Sequence, residues 1–264
     1  MYETTYHRPS TVDEAAALFS KGKEAKYLAG GHTLIPVMKQ RLASPSDVID
    51  LGKIKELVGI EASGDAVTIK AATTHCDVAT NGTVQKAIPA LAYLASLIGD
   101  PAVRHRGTIG GSLANNDPAA DYPAAVLAPG ASIKTNKRSI AADDFFKGLF
   151  ATALEEGEII TAVSFPVPAK ASYAKFPHPA SRFALAGVFV AKTKSDDVRV
   201  AVTGASQNGV MRVTAMESAL KVNWSAAALD NVAISADGLL SELHGSSDYR
   251  AHLIKVMAQR ALAV

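Results

Sequence analysis

The sequence of 264 residues contains one cysteine, Cys76, and one tryptophan, Trp224. A single thiol cannot close a disulfide within the chain, and it cannot supply the four thiolates that hold an iron–sulfur cluster. No apolar run is long enough to cross a bilayer, and the first residues lack the apolar segment of a signal peptide. We therefore expect a cytoplasmic protein, with any iron–sulfur chemistry located on another chain.

An excess of charge of either sign is also missing. The chain has 27 Lys and Arg residues against 25 Asp and Glu residues, which gives a net charge of +2. This balance offers no electrostatic reason to expect nucleic acid or an anionic membrane as a partner. Hydrophobic residues make up 48% of the chain and charged residues 20%, so the composition is that of a folded globular protein with room for two domains.

Several motifs that define well-known active sites are absent. The glycines do not form the Gly-x-Gly-x-x-Gly fingerprint of a Rossmann dinucleotide site, although Asp50 lies at about the distance of a ribose-binding acid. No Walker sequence, His-Glu-x-x-His zinc motif or Gly-x-Ser-x-Gly nucleophile elbow occurs, and the seven histidines show no metal-ligand spacing. A phosphate-bearing cofactor, if one is bound, must be held by another fold.

The order of apolar and polar residues predicts an α+β chain in two parts, which divide near residue 168 at a linker containing Pro166 and Pro168. The predicted strands are 26–29, 48–51, 67–71, 131–134 and 159–165, followed by a β-meander at 185–192, 198–205 and 211–213. The predicted helices are 10–19, 34–41, 88–98, 215–222 and 249–261.

Two pairs of glycines are the strongest candidates for a binding site. Gly30 and Gly31 follow a predicted strand and are followed by His32 and Thr33, while Gly110 and Gly111 lie within 107–112. Adjacent glycines let backbone N–H groups turn toward an anion and approach it closely, so two such segments suit a diphosphate. Either pair alone is more often an ordinary tight turn.

Together these segments resemble the FAD-binding medium subunits of the carbon monoxide dehydrogenase and xanthine dehydrogenase (molybdenum hydroxylase) family. Residues 29–36 and the following 39–42 are similar to the family's first FAD segment. Residues 104–112, with 116–118 and 121–123, are similar to its second FAD segment. The likeness extends over almost the whole chain, including Tyr249, Arg250 and the helix after them.

The resemblance implies an α+β fold in two domains. A FAD-binding domain of the vanillyl-alcohol oxidase, or PCMH, type is expected over residues 1–165, with subdomains at about 1–52 and 53–165. A smaller α+β domain of the carbon monoxide dehydrogenase flavoprotein C-terminal type is expected over residues 170–264.

The resemblance also implies which residues contact FAD, with the diphosphate between the two segments. The contacts expected in the first segment are Ala29, Gly30, Gly31, His32, Thr33 and Leu34. Those expected in the second are Thr108, Ile109, Gly110, Gly111 and Ser112. Asp121 is expected near the sugar of the cofactor, with Ile160 beside it. No catalytic residue and no metal ligand are predicted.

Lys175 is expected near the isoalloxazine ring. An ammonium group there would stabilise the negative charge of a reduced flavin and raise its reduction potential. Without the resemblance, a lysine at this position would more often be an exposed surface residue. In the neighbouring 179–184 the chain departs from the common family pattern, in which Gly-Asp often precedes an aromatic residue and Ala. This chain has Ser181-Arg182 before Phe183 and Ala184, so Phe183 fills the aromatic position but Gly-Asp is missing.

The implied function is a redox relay within a dimer of heterotrimers. A large subunit would carry the molybdopterin cofactor and oxidise the substrate, and [2Fe-2S] clusters on a small subunit would pass the electrons to FAD on this chain. One alternative is a stand-alone FAD-dependent oxidase or dehydrogenase of the same fold, but no acid–base pair suited to it is evident. A second alternative, a scaffold without cofactor, is opposed by the intact glycine pairs.

Overall fold

The fold was derived from a computed structural model that describes residues 1–263, so only the last residue of the expected second domain lies outside it. The strands are β1 Thr5–His7, β2 Ala25–Leu28, β3 Asp47–Asp50, β4 Ile60–Ser63, β5 Ala66–Lys70, β6 Ser132–Thr135, β7 Ser139–Ala141, β8 Phe146–Gly148, β9 Ala151–Thr152, β10 Ile160–Pro166, β11 Lys170–Pro177, β12 Ala184–Lys192, β13 Val198–Thr203 and β14 Met211–Arg212.

The helices connect and cover these strands. They are α1 Val12–Lys21, α2 Leu34–Lys39, α3 His75–Thr80, α4 Gly82–Ala87, α5 Pro89–Ser96, α6 Pro101–Arg104, α7 Ile109–Asn115, α8 Tyr122–Leu127, α9 Ala142–Phe145, α10 Thr214–Val222 and α11 Ser247–Leu262. Short 3-10 helices occupy Leu51–Lys53, Lys55–Leu57 and Ala226–Leu229. Among residues 1–263, no helix has the length and apolar character needed to cross a membrane.

The first part of the chain forms a three-stranded parallel sheet in the order β1-β3-β2. Helix α1 packs against this sheet and begins with reciprocal capping, since Thr11 accepts a hydrogen bond from the Glu14 backbone and Glu14 accepts one from the Ser10 backbone. Because the strands are parallel, their carboxyl ends lie at one edge of the sheet. The first glycine pair follows β2 at that edge.

The second part is a five-stranded antiparallel sheet in the order β4-β5-β10-β6-β7. Helices α5, α7 and α8 pack together beside it, and α5 and α8 are lined with small and aliphatic side chains. The fully buried rings of Phe145, Phe165 and Tyr122 belong to the core between these helices and the sheet. The second glycine pair lies in the first turn of α7, which connects this core to the cavity described below.

The third part is a four-stranded antiparallel meander in the order β11-β12-β13-β14, covered by α10 and α11. One face of this meander has its own core with the helices, while Tyr173 and Phe189 on the other face join the core of the second sheet. Arg250 of α11 is 2% exposed and donates hydrogen bonds to the carbonyl oxygens of Leu185 and Gly204, each at 2.7 Å. These bonds tie the last helix to the meander.

The predicted α+β class is confirmed, as are the predicted strands and helices, with ends shifted by a few residues. The sequence did not predict β11, the first strand of the meander, or the helical character of 109–115. The chain passes from the second sheet to the third between β10 and β11, where Pro166 and Pro168 suggested a linker. The two sheets nevertheless share buried side chains.

Candidate functional site

A cavity of about 720 Å³ lies where both glycine segments meet the segment 181–183. Its walls are mostly apolar and include Tyr27, Leu57 and Ile160, with a small number of polar groups among them. A mostly apolar concavity of this size with few polar groups is typical of sites for large organic cofactors. The cavity is therefore the candidate site.

The first glycine segment forms one side of the cavity through its backbone. Gly31 has φ +77°, in the left-handed region that glycine adopts without strain. Gly30 lies so close to the second segment that an added Cβ would be 2.2 Å from the carbonyl oxygen of Arg106 and 2.7 Å from Cα of Gly107. The absence of a side chain at Gly30 thus allows the two segments to touch.

The second glycine segment is fixed by a cap and by close packing. Thr108 caps α7, and its hydroxyl accepts a hydrogen bond from the backbone of Gly111 at 3.1 Å. Gly110 donates its backbone N–H to the Ala71 carbonyl at 2.9 Å, and a Cβ there would be 2.6 Å from Cβ of Ala71. Gly111 is looser, because its nearest neighbour would be the Thr108 hydroxyl at 3.0 Å.

Asp121 on the cavity wall belongs to a buried ionic cluster. Tyr173 donates its hydroxyl proton to Asp121 at 2.5 Å, and Nζ of Lys175 lies 3.0 Å from both carboxylate oxygens. The Lys175 and Asp121 side chains are each only 3% exposed. Burial raises the pKa of Asp121, while the Lys175 charge and the Tyr173 hydroxyl oppose that rise. Lys175 thus has a full counter-charge beside it.

His75 lines the same cavity and was not predicted as a site residue. Its ring is 5% exposed and lies next to the ring of Tyr122, with 5.3 Å between the centroids. Neither Nδ1 of His75 nor the Tyr122 hydroxyl has a hydrogen-bond partner among the described residues, and both are fully buried. Burial, followed by the charges of His32 and Arg104, lowers the pKa of His75 to about 4.

Glu158 places a further carboxylate at the cavity wall, and it is fully paired. Arg138 donates to both of its oxygens, at 3.1 and 3.0 Å, and the Thr135 hydroxyl donates at 2.6 Å. The hydrogen bond from Arg138 is the main reason that the pKa of Glu158 falls to about 2. Glu158 is therefore ionised and committed to its partners, so we assign it a structural role.

The segment 181–183 borders the cavity from the meander side. Arg182 has φ +62°, which is unusual for a residue with a side chain, and Phe183 is 48% exposed. The departure from the family pattern lies in this segment, and the structure places Phe183, which fills the aromatic position, at the rim. Across the described residues 1–263, no group of three or more His, Cys, Asp or Glu side chains could hold a metal ion.

The structure brings together all but two of the residues predicted to contact the cofactor. Those on the cavity wall are Ala29, Gly30, Gly31, His32, Thr33, Leu34, Thr108, Gly110, Gly111, Ser112, Asp121 and Ile160. Ile109 points into the core, and Lys175 reaches the cavity only through Asp121. No sequence motif indicated His75, since 32 residues separate it from Gly107 and only the fold makes them neighbours.

Comparison with known proteins agrees with this geometry. Residues 2–168 match the family model described as "FAD binding domain in molybdopterin dehydrogenase". The chain is 36% identical to the carbon monoxide dehydrogenase medium chain of Hydrogenophaga pseudoflava, over 97% of this chain and 95% of that protein. It is 35% identical to the nicotine 6-hydroxylase medium subunit of Paenarthrobacter nicotinovorans, over 97% of this chain and 95% of that one.

The likeness extends to three-dimensional structure. A chain of a cyanide-inactivated copper- and molybdenum-containing carbon monoxide dehydrogenase superposes with a TM-score of 0.91 at 34% identity, covering 100% of this chain and 98% of the other. Sequence identity, coverage and fold all agree over nearly the full length. The chain therefore belongs to the family of FAD-binding medium subunits of carbon monoxide dehydrogenase and xanthine dehydrogenase-type molybdenum hydroxylases.

Proposed function

We propose that this chain binds FAD in the cavity and serves as the electron-transfer subunit of a cytoplasmic molybdenum hydroxylase. When bound, the flavin supplies the capacity to collect electrons from a partner's [2Fe-2S] clusters and to release them to an external acceptor. A large molybdopterin subunit and a small iron–sulfur subunit complete the proposed dimer of heterotrimers. The observation that carries the proposal is the shared cavity of the two glycine segments.

The residues of the cavity fit such a cofactor. Gly31 and Gly111 lie at its wall, where the absence of side chains leaves space for a diphosphate to approach the backbone. We propose that a sugar part of the cofactor lies toward Asp121 and Ile160, with the isoalloxazine on the Lys175 side of this cluster. The apolar walls would exclude water from the ring system.

The relatives support a role independent of substrate. Their names mention three different compounds: carbon monoxide, nicotine and glyceraldehyde. This chain is nevertheless about equally similar to all three relatives, with identities between 32% and 36%. Substrate selection would therefore reside on the large partner subunit. This chain would contribute the flavin site and the surface from which the acceptor is reached.

The first test asks whether the glycine segment holds FAD. We expect the purified chain to retain about one non-covalent FAD and Gly31→Val to lose most of it, because the branched side chain opposes the left-handed backbone and fills the cavity. Gly238→Val is the matched control, since Gly238 has φ +72° with open space around it and lies outside the cavity wall. Equal flavin content in the two variants would contradict the proposed site.

The second test asks whether the chain acts as a relay. The chain is coexpressed with its two partner subunits, and reoxidation of the reduced clusters by an external acceptor is followed in complexes containing wild type or Gly31→Val. We expect the reduced clusters to be reoxidised slowly in the Gly31→Val complex, which lacks FAD, and rapidly in the wild-type complex. A lone chain that reduces its own FAD with an organic substrate would instead identify a stand-alone oxidase.

A further inference from the structure

His75 and Tyr122 have hydrogen-bonding groups that no residue of the described chain satisfies. Buried polar atoms are nearly always paired, so two neighbouring exceptions call for an explanation. Of the two ring nitrogens of His75, only Nδ1 is fully buried without a partner, although the residue lines the cavity. We infer that Nε2 is the nitrogen that faces the cavity.

The position of His75 is set by the second glycine segment. Its backbone N–H donates to the Gly107 carbonyl at 2.9 Å, and an added Cβ on Gly107 would be 2.5 Å from Nε2. Gly107 in turn contacts Gly30. The imidazole therefore lies on the cavity wall beside the place where both segments meet, where it would face a diphosphate bound between them.

The charged surroundings favour a neutral ring. Positive charge at His32 or Arg104 opposes protonation of the ring. Tyr122 lies beside the ring, and Asp121 acts electrostatically on the Tyr122 hydroxyl. The pKa of His75 is lowered and that of Tyr122 is raised, both mainly by burial, so the ring carries one proton and the phenol keeps its own. In a neutral imidazole one nitrogen carries the proton and donates, while the other can only accept.

We propose that His75 donates a hydrogen bond from Nε2 to a diphosphate oxygen of the bound nucleotide, and that Tyr122 holds it in this tautomer. Neither the Tyr122 hydroxyl nor Nδ1 has a partner among the described residues, and on this proposal a buried water links the two groups. The hydroxyl donates to the water and the water donates to Nδ1. This assignment rests on the proposed binding of FAD between the glycine segments.

The tautomer is measurable without any substitution. The full-length chain is labelled with 15N-histidine, and the His75 resonances are assigned by their disappearance in His75→Gln. We expect Nδ1 to be unprotonated and Nε2 protonated, and we expect the Nε2–H resonance to move when FAD is added but not when riboflavin, which lacks the diphosphate, is added. An imidazolium, an Nδ1–H tautomer or a resonance unmoved by FAD would overturn the assignment.

Substitutions test the energetic role. A hydrogen bond to a charged oxygen is strong enough that His75→Met should weaken FAD binding about tenfold or more. His75→Gln retains a hydrogen-bond donor and should lose less FAD affinity. Neither substitution should alter the affinity for riboflavin. Equal losses in the two variants, or a parallel loss of riboflavin affinity, would overturn the proposal.

Tyr122→Phe tests whether the Tyr122 hydroxyl fixes the tautomer of His75, and Tyr93→Phe is its control. Tyr122→Phe removes only the hydroxyl, so the His75 resonances should show a mixture of tautomers and FAD affinity should fall by less than in His75→Met. Tyr93→Phe, at an exposed tyrosine outside the cavity wall, should leave both unchanged. An unchanged tautomer in Tyr122→Phe contradicts the role of Tyr122. Wild-type chain that binds no FAD at all would instead refute the proposed function itself.

Discussion

At the scale of single residues, the pairing of Lys175 with Asp121 changes what the lysine can do for a flavin. Seen from the sequence, Lys175 is a free ammonium that raises the reduction potential. In the structure its charge is balanced by a carboxylate at 3.0 Å, and both groups are buried. The pair as a whole is close to neutral, so its effect on a nearby flavin depends on which partner is removed.

Substitution of each partner should therefore give different flavin potentials. Lys175→Met leaves a buried carboxyl that takes up a proton, so the charge beside the cavity stays near zero and the potential shifts little. Asp121→Asn leaves an unbalanced ammonium and should raise the potential by on the order of 30 mV, a tenfold change in the two-electron equilibrium. Redox titration of both variants checks this, and a larger shift in Lys175→Met than in Asp121→Asn would contradict it.

His75 gives the empty chain a specific sensitivity to acid. Its pKa is about 4 in the folded chain against 6.5 for an ordinary histidine, so the unfolded chain binds the proton more readily. The stability contributed by the neutral ring is present above pH 6.5 and is lost as the pH falls toward 4. Between neutral pH and about pH 4.5 this loss amounts to about 2 kcal/mol.

Urea denaturation of the flavin-free chain at these two pH values measures that loss. His75→Gln removes the titrating group and should lose about 2 kcal/mol less stability than wild type on acidification. His252→Gln, at an exposed histidine of α11, should behave as wild type. An equal pH dependence in His75→Gln and wild type would show that His75 does not titrate in this range.

At the scale of elements, Asn116 connects the end of α7 to the β8–β9 hairpin. Its backbone is left-handed, with φ +43°, and its buried amide donates to the carbonyl oxygens of Gly148 and Ala151, both at 2.8 Å. Its own carbonyl accepts from the backbone of Phe150. Because Asn115 and Asp117 on either side line the cavity, this connection also positions part of the wall.

Two substitutions separate the hydrogen bonds of Asn116 from its backbone conformation. Asn116→Ala loses both bonds and must strain to keep a positive φ, which should cost about 3 kcal/mol of stability. Asn116→Gly loses the bonds without strain and should cost about 1 kcal/mol less. Urea midpoints of the two variants measure the difference. Equal destabilisation of the two variants would mean that the left-handed backbone at residue 116 adds no strain in Asn116→Ala.

The elements also show what the sequence could predict and why the rest was missed. Periodicity and caps identified α1 and β10, whose patterns are strong. Strand β11 was missed because 170–177 contains two lysines and few β-branched residues, and its pairing with β12 depends on the fold. The glycines at 110 and 111 concealed α7, although Thr108 provided a cap for it.

The site was predictable to the extent that it is local in sequence. The glycine segments lie within short stretches, so their pattern indicated a common ligand. His75 and Glu158 line the cavity from separate parts of the chain, and the Tyr173 hydroxyl reaches Asp121 on its wall from a third. No spacing in the sequence relates them. The same holds for the Lys175–Asp121 pair, whose members are 54 residues apart.

At the scale of the whole molecule, the expected division near residue 168 crosses a continuous core. Tyr173, Phe189, Ala191 and Ala201 from the meander are buried in the same cluster as Phe165 and Tyr122. Separation of the two parts would expose these side chains to water. We therefore expect the two parts to depend on each other for stability, even if 170–264 is a domain of its own.

Unfolding experiments test this dependence with a probe that the chain already contains. Trp224, its one tryptophan, packs against the core of the meander, while far-UV circular dichroism reports on all helices and strands. We expect the urea midpoints from both signals to coincide and 1–168 expressed alone to aggregate. Two separate transitions, or a stable flavin-binding 1–168 fragment, would show that the parts are independent.

The Lys175–Asp121 contact has a consequence for the order of events during synthesis. Asp121 leaves the ribosome before β11, the strand that carries Lys175 and pairs with β12. Until β11 and residues 181–183 have been made, Asp121 lacks its counter-ion and the cavity lacks part of its wall. A nascent chain that ends before residue 183 thus has an unfinished cavity. We therefore expect FAD to bind after this part of the chain has been made, and we expect flavin-free full-length chains to accept FAD when it is added.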